Sequence, residues 1–181
     1  FGKDYWTGTV FTTNRRVWEH DEEFKKHLKT IRSIAIETVS YYGDYYECGY
    51  DYWRVALMET TNPINGDYFQ IDIITDALNE GANEDNVVGE YVACSDLDIK
   101  PNSFLAGVME GAAYINSWRL VVEDDYIING NGRVPMTTGS VKIEKEGSGF
   151  LITIDSMDDA NHKVKGTFSC GGVELYDRSK R

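Results

Sequence analysis

The stretch Ser140-Val-Lys-Ile-Glu-Lys-Glu-Gly-Ser-Gly-Phe-Leu-Ile-Thr-Ile-Asp155 decides the fold class. Val141, Ile143 and Lys145 alternate with Lys142, Glu144 and Glu146, the period of a half-buried strand. Gly147-Ser148-Gly149 then supplies a tight turn, and Phe150, Ile152 and Ile154 fall on one face of a second strand. Asp158-Asp-Ala-Asn161 is turn chemistry, and Lys163 to Ser169 alternates again, with Val164 and Phe168 on one face. Three alternating runs with short connections predict an antiparallel meander.

Upstream, the same order of signals recurs. Gly66-Asp-Tyr-Phe-Gln-Ile-Asp-Ile-Ile-Thr-Asp76 resembles Gly149 to Asp158, and Gly89-Glu-Tyr-Val-Ala-Cys94 resembles Gly166-Thr-Phe-Ser-Cys170. Further strand candidates precede each pair: Ile34 to Tyr41 and Tyr52 to Glu59 in the first half, Tyr114 to Glu123 and Gly139 to Lys145 in the second. The reading is an all-β domain over 33–181, with two degenerate four-strand repeats near 33–95 and 113–172. Chance likeness between antiparallel strands is the alternative. Residues 1–32 form a separate segment packed on that domain. Tyr5 to Thr12 reads as an edge strand, and Asp21 to Lys29 as a short helix with Phe24, Leu28 and Ile31 on one face. The loop Asn79 to Asn86 is polar and expected to be mobile, and Asn129-Gly-Asn-Gly132 is a turn. Eight or nine strands with little helix predict an antiparallel β-sandwich. A lipocalin-like β-barrel is the alternative.

The chain has 181 residues, 30 acids against 18 bases and a net charge of −12, which disfavours nucleic acid and anionic membrane surfaces as partners. No apolar run approaches the roughly 20 residues of a membrane span. Phe1-Gly2-Lys3-Asp4 has neither a charged start nor an apolar stretch, and reads as the start of a mature or trimmed chain.

Ile36 to Trp53, Gly66 to Ile73, Gly139-Ser-Val-Lys-Ile-Glu-Lys-Glu-Gly147, Ile152-Thr-Ile-Asp155 and Asp158-Asp-Ala-Asn-His-Lys-Val-Lys-Gly166 follow one another in a distinctive order. In that order the chain resembles the uncharacterised exported lipoproteins of gut Bacteroidetes over roughly 33–172. The resemblance implies an all-β fold and export to the outer membrane, facing the periplasm or the cell surface. The lipid anchor would lie upstream of Phe1. It carries over no functional residues.

Tyr41-Tyr-Gly-Asp-Tyr-Tyr-Glu-Cys-Gly-Tyr-Asp-Tyr-Trp53 holds six of the chain's twelve tyrosines. Gly43-Asp44 and Glu47-Cys48-Gly49 break it into strand end, loop and strand start. Trp53, Val55 and Leu57 share the inward face; Tyr52, Arg54, Ala56 and Met58 share the other. Either Tyr41 or Tyr42 points inward, and Tyr45 and Tyr46 cannot both be core if the loop that holds them is short. Tyr45, Tyr46 and Tyr50, with Asp44 and Glu47, are therefore the candidate ligand-binding set. Tyrosine rings stack on sugar faces and carboxylates accept sugar hydroxyls. Tyrosine packing over one end of the fold is the plainer alternative.

Other chemistry finds no signature. Glu123-Asp124-Asp125, Glu84-Asp85 and Asp158-Asp159 are acid clusters without a calcium-loop spacing, so no metal and no cofactor is expected. His20, His27 and His162 lie in no nucleophile motif, and the chain is read as a non-enzyme. Cys94 and Cys170 occupy matching places in the proposed repeats. Facing repeats would let them form a disulfide, which export permits; two separate buried thiols are the alternative. Three functions follow: an exported domain binding a glycan or other extracellular ligand through the aromatic loop, a lipocalin-like carrier of an apolar molecule, or a structural assembly subunit.

Overall fold

The structure is a computed structural model, and it describes residues 34–59, 66–110, 113–123, 126–127, 133–171 and 174–180. The expected edge strand at 5–12, the helix at 21–29 and the turn at 129–132 lie outside them. Among the described residues the fold is nearly all β, with one 3-10 turn at Glu84–Val87.

Four strands open the domain: β1 Ile34–Gly43, β2 Tyr50–Glu59, β3 Gly66–Asp76 and β4 Gly89–Cys94. Short pieces follow: β5 Ser103–Leu105, β6 Val108–Glu110, β7 Ala113–Ile115, β8 Trp118–Glu123, β9 Tyr126–Ile127 and β10 Arg133–Pro135. The meander comprises β11 Thr138–Glu146, β12 Gly149–Met157 and β13 Lys163–Cys170, and β14 Leu175–Asp177 closes the chain. The expected meander is present, with Val141 opposite Ile154, Ile143 opposite Ile152 and Ile154 opposite Gly166.

One 12-stranded mixed sheet runs β13-β12-β11-β4-β5-β3-β2-β1-β14, and β6 and β7 form a separate hairpin. The sheet forks at β3. Ile73 and Ile74 pair with β5, while Gly66 to Gln70 pair with β8, which carries β10 and β9. Two pairings are parallel, β4 with β5 and β1 with β14. The sheet curls enough to bring β1 near β13. The two stretches proposed as repeats pair differently. β11, β12 and β13 are neighbours in sequence and space, whereas β5 separates β3 from β4 and β8 stands on β3.

The concave face holds the core. Trp53, Val55 and Leu57 lie opposite Ile73, Ile71 and Phe69, and join Tyr91, Phe104, Val141, Ile143, Phe150, Ile152 and Ile154 in one buried cluster. Trp53 is fully buried, and its indole N–H donates to Thr75 Oγ1 at 3.0 Å. Each aromatic buried here removes about 150–250 Å² from water, which makes these rings the largest apolar contributors to the core.

The loop 79–86 is better organised than its polarity predicts. Asn83 accepts the Asp85 N–H, Asn86 accepts the Asn83 N–H, and Val87 buries into the core. A reciprocal cap of this kind satisfies donors that a mobile loop would leave to water.

The suggested Cys94–Cys170 disulfide is absent. Cys94 is a free buried thiol that donates to Ser103 Oγ at 3.0 Å. β11 and β12 stand between β4 and β13, a separation of roughly 14 Å across the sheet. A disulfide spans only about 4.4–6.8 Å between Cα atoms. Cys170 is also level with Phe150, at the opposite end of the meander from the row that Cys94 extends.

Candidate tyrosine cleft

The convex face of β2 and β3 carries the polar surprise of the fold. Strand alternation places Tyr50, Tyr52 and Arg54 outward on β2, and Asp72 and Ile74 outward on β3. The register sets Arg54 directly opposite Asp72 and Tyr52 opposite Ile74. Arg54 grips Asp72 with both arms, Nε to Oδ1 at 2.8 Å and Nη2 to Oδ2 at 2.9 Å. The Asp72 side chain is 1% exposed and that of Arg54 36%. Ser117 Oγ accepts the Asp72 N–H, and Gln70 donates to Asn116 O, tying the pair to the fork.

Above this pair the tyrosines converge. Tyr42 stacks on Tyr52 at 4.9 Å, Tyr46 meets Tyr52 edge-on at 5.4 Å, and Tyr45 meets Tyr46 edge-on at 5.1 Å. These are favoured ring geometries. Tyr42, Tyr46 and Tyr50 pack on a second buried cluster of Tyr52, Ile74, Cys94 and Leu105. Tyr45 remains 63% exposed at the rim. Tyr42, Tyr45, Tyr46, Tyr52, Arg54, Asp72, Ile115 and Asn116 enclose a cleft of about 200 Å³.

The loop that presents Tyr45 and Tyr46 is built by Asp44. Its carboxylate accepts the Cys48 N–H at 2.8 Å and the Gly49 N–H at 2.9 Å, while Glu47 turns the chain at φ 53°. Asp44 is thus engaged by the loop backbone. Asp51 is likewise engaged, accepting Tyr41 Oη–H at 2.9 Å and the Leu78 N–H at 2.8 Å. Of the sequence candidates, Tyr45 and Tyr46 line the cleft. Tyr50 packs beside them, Asp44 shapes their loop, and Glu47 is exposed on it. Tyr41 turns inward against the core and Trp53, and Tyr42 turns outward, as alternation requires.

Sequence reasoning missed Arg54 and Asp72 as a site. The signal was Arg54 within the outer face of β2 and Asp72, between Gln70 and Ile74, within that of β3. Only the register makes them partners.

Burial and carboxylates shape the titration of these groups. Burial pushes the Tyr46 hydroxyl up to about 12, reinforced by Asp72, Tyr45 and Asp96 and opposed by Arg54. Burial and Asp51 push Tyr41 up to about 12. Burial pushes Tyr52 well above the ordinary phenol value, and pushes the Asp72 carboxyl up against the pull of Arg54, Tyr52 and Gln70. A phenol whose pKa is raised on folding contributes stability in full below the ordinary value of 10.0. That contribution is lost as pH rises towards about 12. Chemical denaturation across this alkaline window should show stability falling, and Tyr46→Phe should flatten the fall. An equally steep fall in the variant would remove Tyr46 from the linkage.

Comparison of the chain with protein-family models, with curated proteins and with solved structures finds no match in any of the three.

Proposed function

We propose that this is a non-enzymatic binding domain of an exported lipoprotein, and that it holds a glycan in the tyrosine cleft. One observation carries the reading: Tyr45 offers an exposed ring face directly beside a cleft whose floor is a hydrogen-bonding Arg54–Asp72 pair. An apolar wall with a few convergent polar groups is the usual make-up of a small-molecule site. A sugar ring needs that combination, with C–H faces for the aromatic ring and hydroxyls for donors and acceptors. Arg54 spends two of its five N–H donors on Asp72 and reaches solvent with its outer edge.

Export to the outer membrane, with an anchor upstream of Phe1, rests on the resemblance of the strand order to that of exported lipoproteins. We read the curled sheet as a sandwich, a reading the fork at β3 supports over an up-and-down barrel. The carrier alternative has less support, because Trp53, Phe69, Phe104 and Phe150 fill the concave face. The assembly alternative turned on the edge at 5–12, outside the described residues.

Tyr45→Ala tests the reading. Glycan titration followed by intrinsic fluorescence should lose saturation in the variant. Stability should fall by only about 0.5–1.5 kcal/mol, because the ring is exposed but still meets Tyr46, Tyr42 and Tyr52. Undiminished binding would place the ligand elsewhere, and a marked drop in stability would make Tyr45 a packing residue.

A further inference from the structure

We infer that the cleft selects an uncharged, hydroxyl-rich glycan and discriminates against glycans bearing carboxylate or sulfate. This inference rests on the glycan reading above.

An arginine at the floor of an aromatic cleft ordinarily invites an anion, because the guanidinium fork matches a carboxylate or sulfate. Here the fork is already occupied. Both Asp72 oxygens sit on Arg54, at 2.8 and 2.9 Å, and cancel its charge within the floor. The outer edge of Arg54 keeps donors for a neutral hydroxyl or ring oxygen, but an anion arriving there meets a pair with no net charge.

The surroundings add negative charge. Asp44 and Glu47 are exposed on the loop that carries Tyr45 and Tyr46, and Asp96 is exposed close enough to act on Tyr46. Burial is the main cause that holds the proton on the Tyr46 hydroxyl, and Asp72 and Asp96 add to it while Arg54 opposes. The whole chain, at −12, repels anions on approach as well. Low-dielectric ring walls strengthen these terms relative to open water.

Size narrows the class further. A cleft of about 200 Å³ lies below the roughly 300–1,000 Å³ of sites that enclose a whole small ligand. It seats one sugar ring, and the rest of the glycan runs outward past Tyr45.

A glycan array of neutral, uronate-bearing and sulfated oligosaccharides tests the inference. Hits should be confined to the neutral set. Calorimetry with a neutral hit and an oligogalacturonide of equal length should show the acidic ligand weaker by about tenfold or more at low salt, with high salt narrowing the gap. Asp72→Asn frees the Arg54 charge and should raise oligogalacturonide affinity. Asp96→Asn lies on an exposed loop that tolerates exchange, and should give a smaller gain in the same direction if Asp72→Asn fails to fold. Equal or tighter binding of acidic glycans by the parent would overturn the selectivity and leave the glycan reading standing. Unchanged discrimination in Asp96→Asn and a folded Asp72→Asn would overturn its electrostatic cause. An array with no hits in any class would overturn the glycan reading itself.

Discussion

Arg54→Ala is expected to destabilise the domain by about 3 kcal/mol, because it leaves the Asp72 carboxylate buried without its countercharge. The figure sits at the low end of the roughly 3–5 kcal/mol seen when one partner of a buried pair is removed. Arg54 is 36% exposed, so water can follow the truncated side chain towards Asp72 and relieve part of the cost. The loss corresponds to a melting temperature lower by roughly 6–12 °C for a chain of this size. Asp72→Asn tests the other half. It keeps the shape and the Ser117 contact to the backbone, but leaves the guanidinium with a weaker acceptor. The two side chains share both hydrogen bonds, so their substitutions should not add; a coupling of roughly 0.5–3 kcal/mol is expected from equilibrium denaturation of the double variant. Strict additivity would mean that the pair does not act as a unit. The same measurement bears on binding, since the floor of the cleft is this pair. Arg54→Ala assayed well below its melting transition should therefore weaken glycan binding as well.

The sequence announced the strands better than their neighbours. β11, β12 and β13 were legible because Val141, Ile143, Phe150, Ile152 and Ile154 alternate cleanly and Gly147 to Gly149 fixes a local turn. Local pairing leaves its mark in the turn that makes it. The fork at β3 leaves no such mark. β5 and β10 are three residues each, too short for an alternation to register, and their partners lie far off in sequence. The parallel pairing of Val39 to Tyr41 with β14 is equally non-local. The site divides along the same line. Tyr45 and Tyr46 stood out as aromatic residues in a loop that Gly43 and Gly49 interrupt. Asp44 looks like a ligand group in the sequence because nothing in its neighbours says that the Cys48 and Gly49 amides claim it. Arg54 and Asp72 required the β2–β3 register, which fixes Trp53 opposite Ile73 and thereby sets the next outward residues face to face.

Gly139→Ala is expected to cost roughly 2–6 kcal/mol, combining a strained backbone of about 1–3 with overpacking of about 1–3. Gly139 sits at φ 93°, where a side chain is disfavoured. A Cβ built there would stand 2.1 Å from Asp155 O and 2.8 Å from Ser156 Cα. Both obstacles are backbone atoms of β12, so neither can swing aside. Relief requires β11 and β12 to part at the Gly139–Ser156 step. That step also holds Ser156, which is fully buried and donates to Thr138 O at 2.7 Å. Gly147 supplies the control. It too has positive φ, at 59°, but nothing lies within 4 Å of an added Cβ. Gly147→Ala should therefore cost only the conformational part, roughly 1–2 kcal/mol. Denaturant midpoints of the two variants separate the causes. A larger loss at 139 than at 147 assigns the difference to the close approach of β12, and equal losses would assign both to backbone conformation alone. The comparison reaches the cleft as well. β11 pairs with β4 on its other edge, and β4 pairs with β5, whose Leu105 packs beneath Tyr52. Parting β11 from β12 therefore loosens the support behind the tyrosines, and Gly139→Ala should weaken ligand binding while Gly147→Ala leaves it intact.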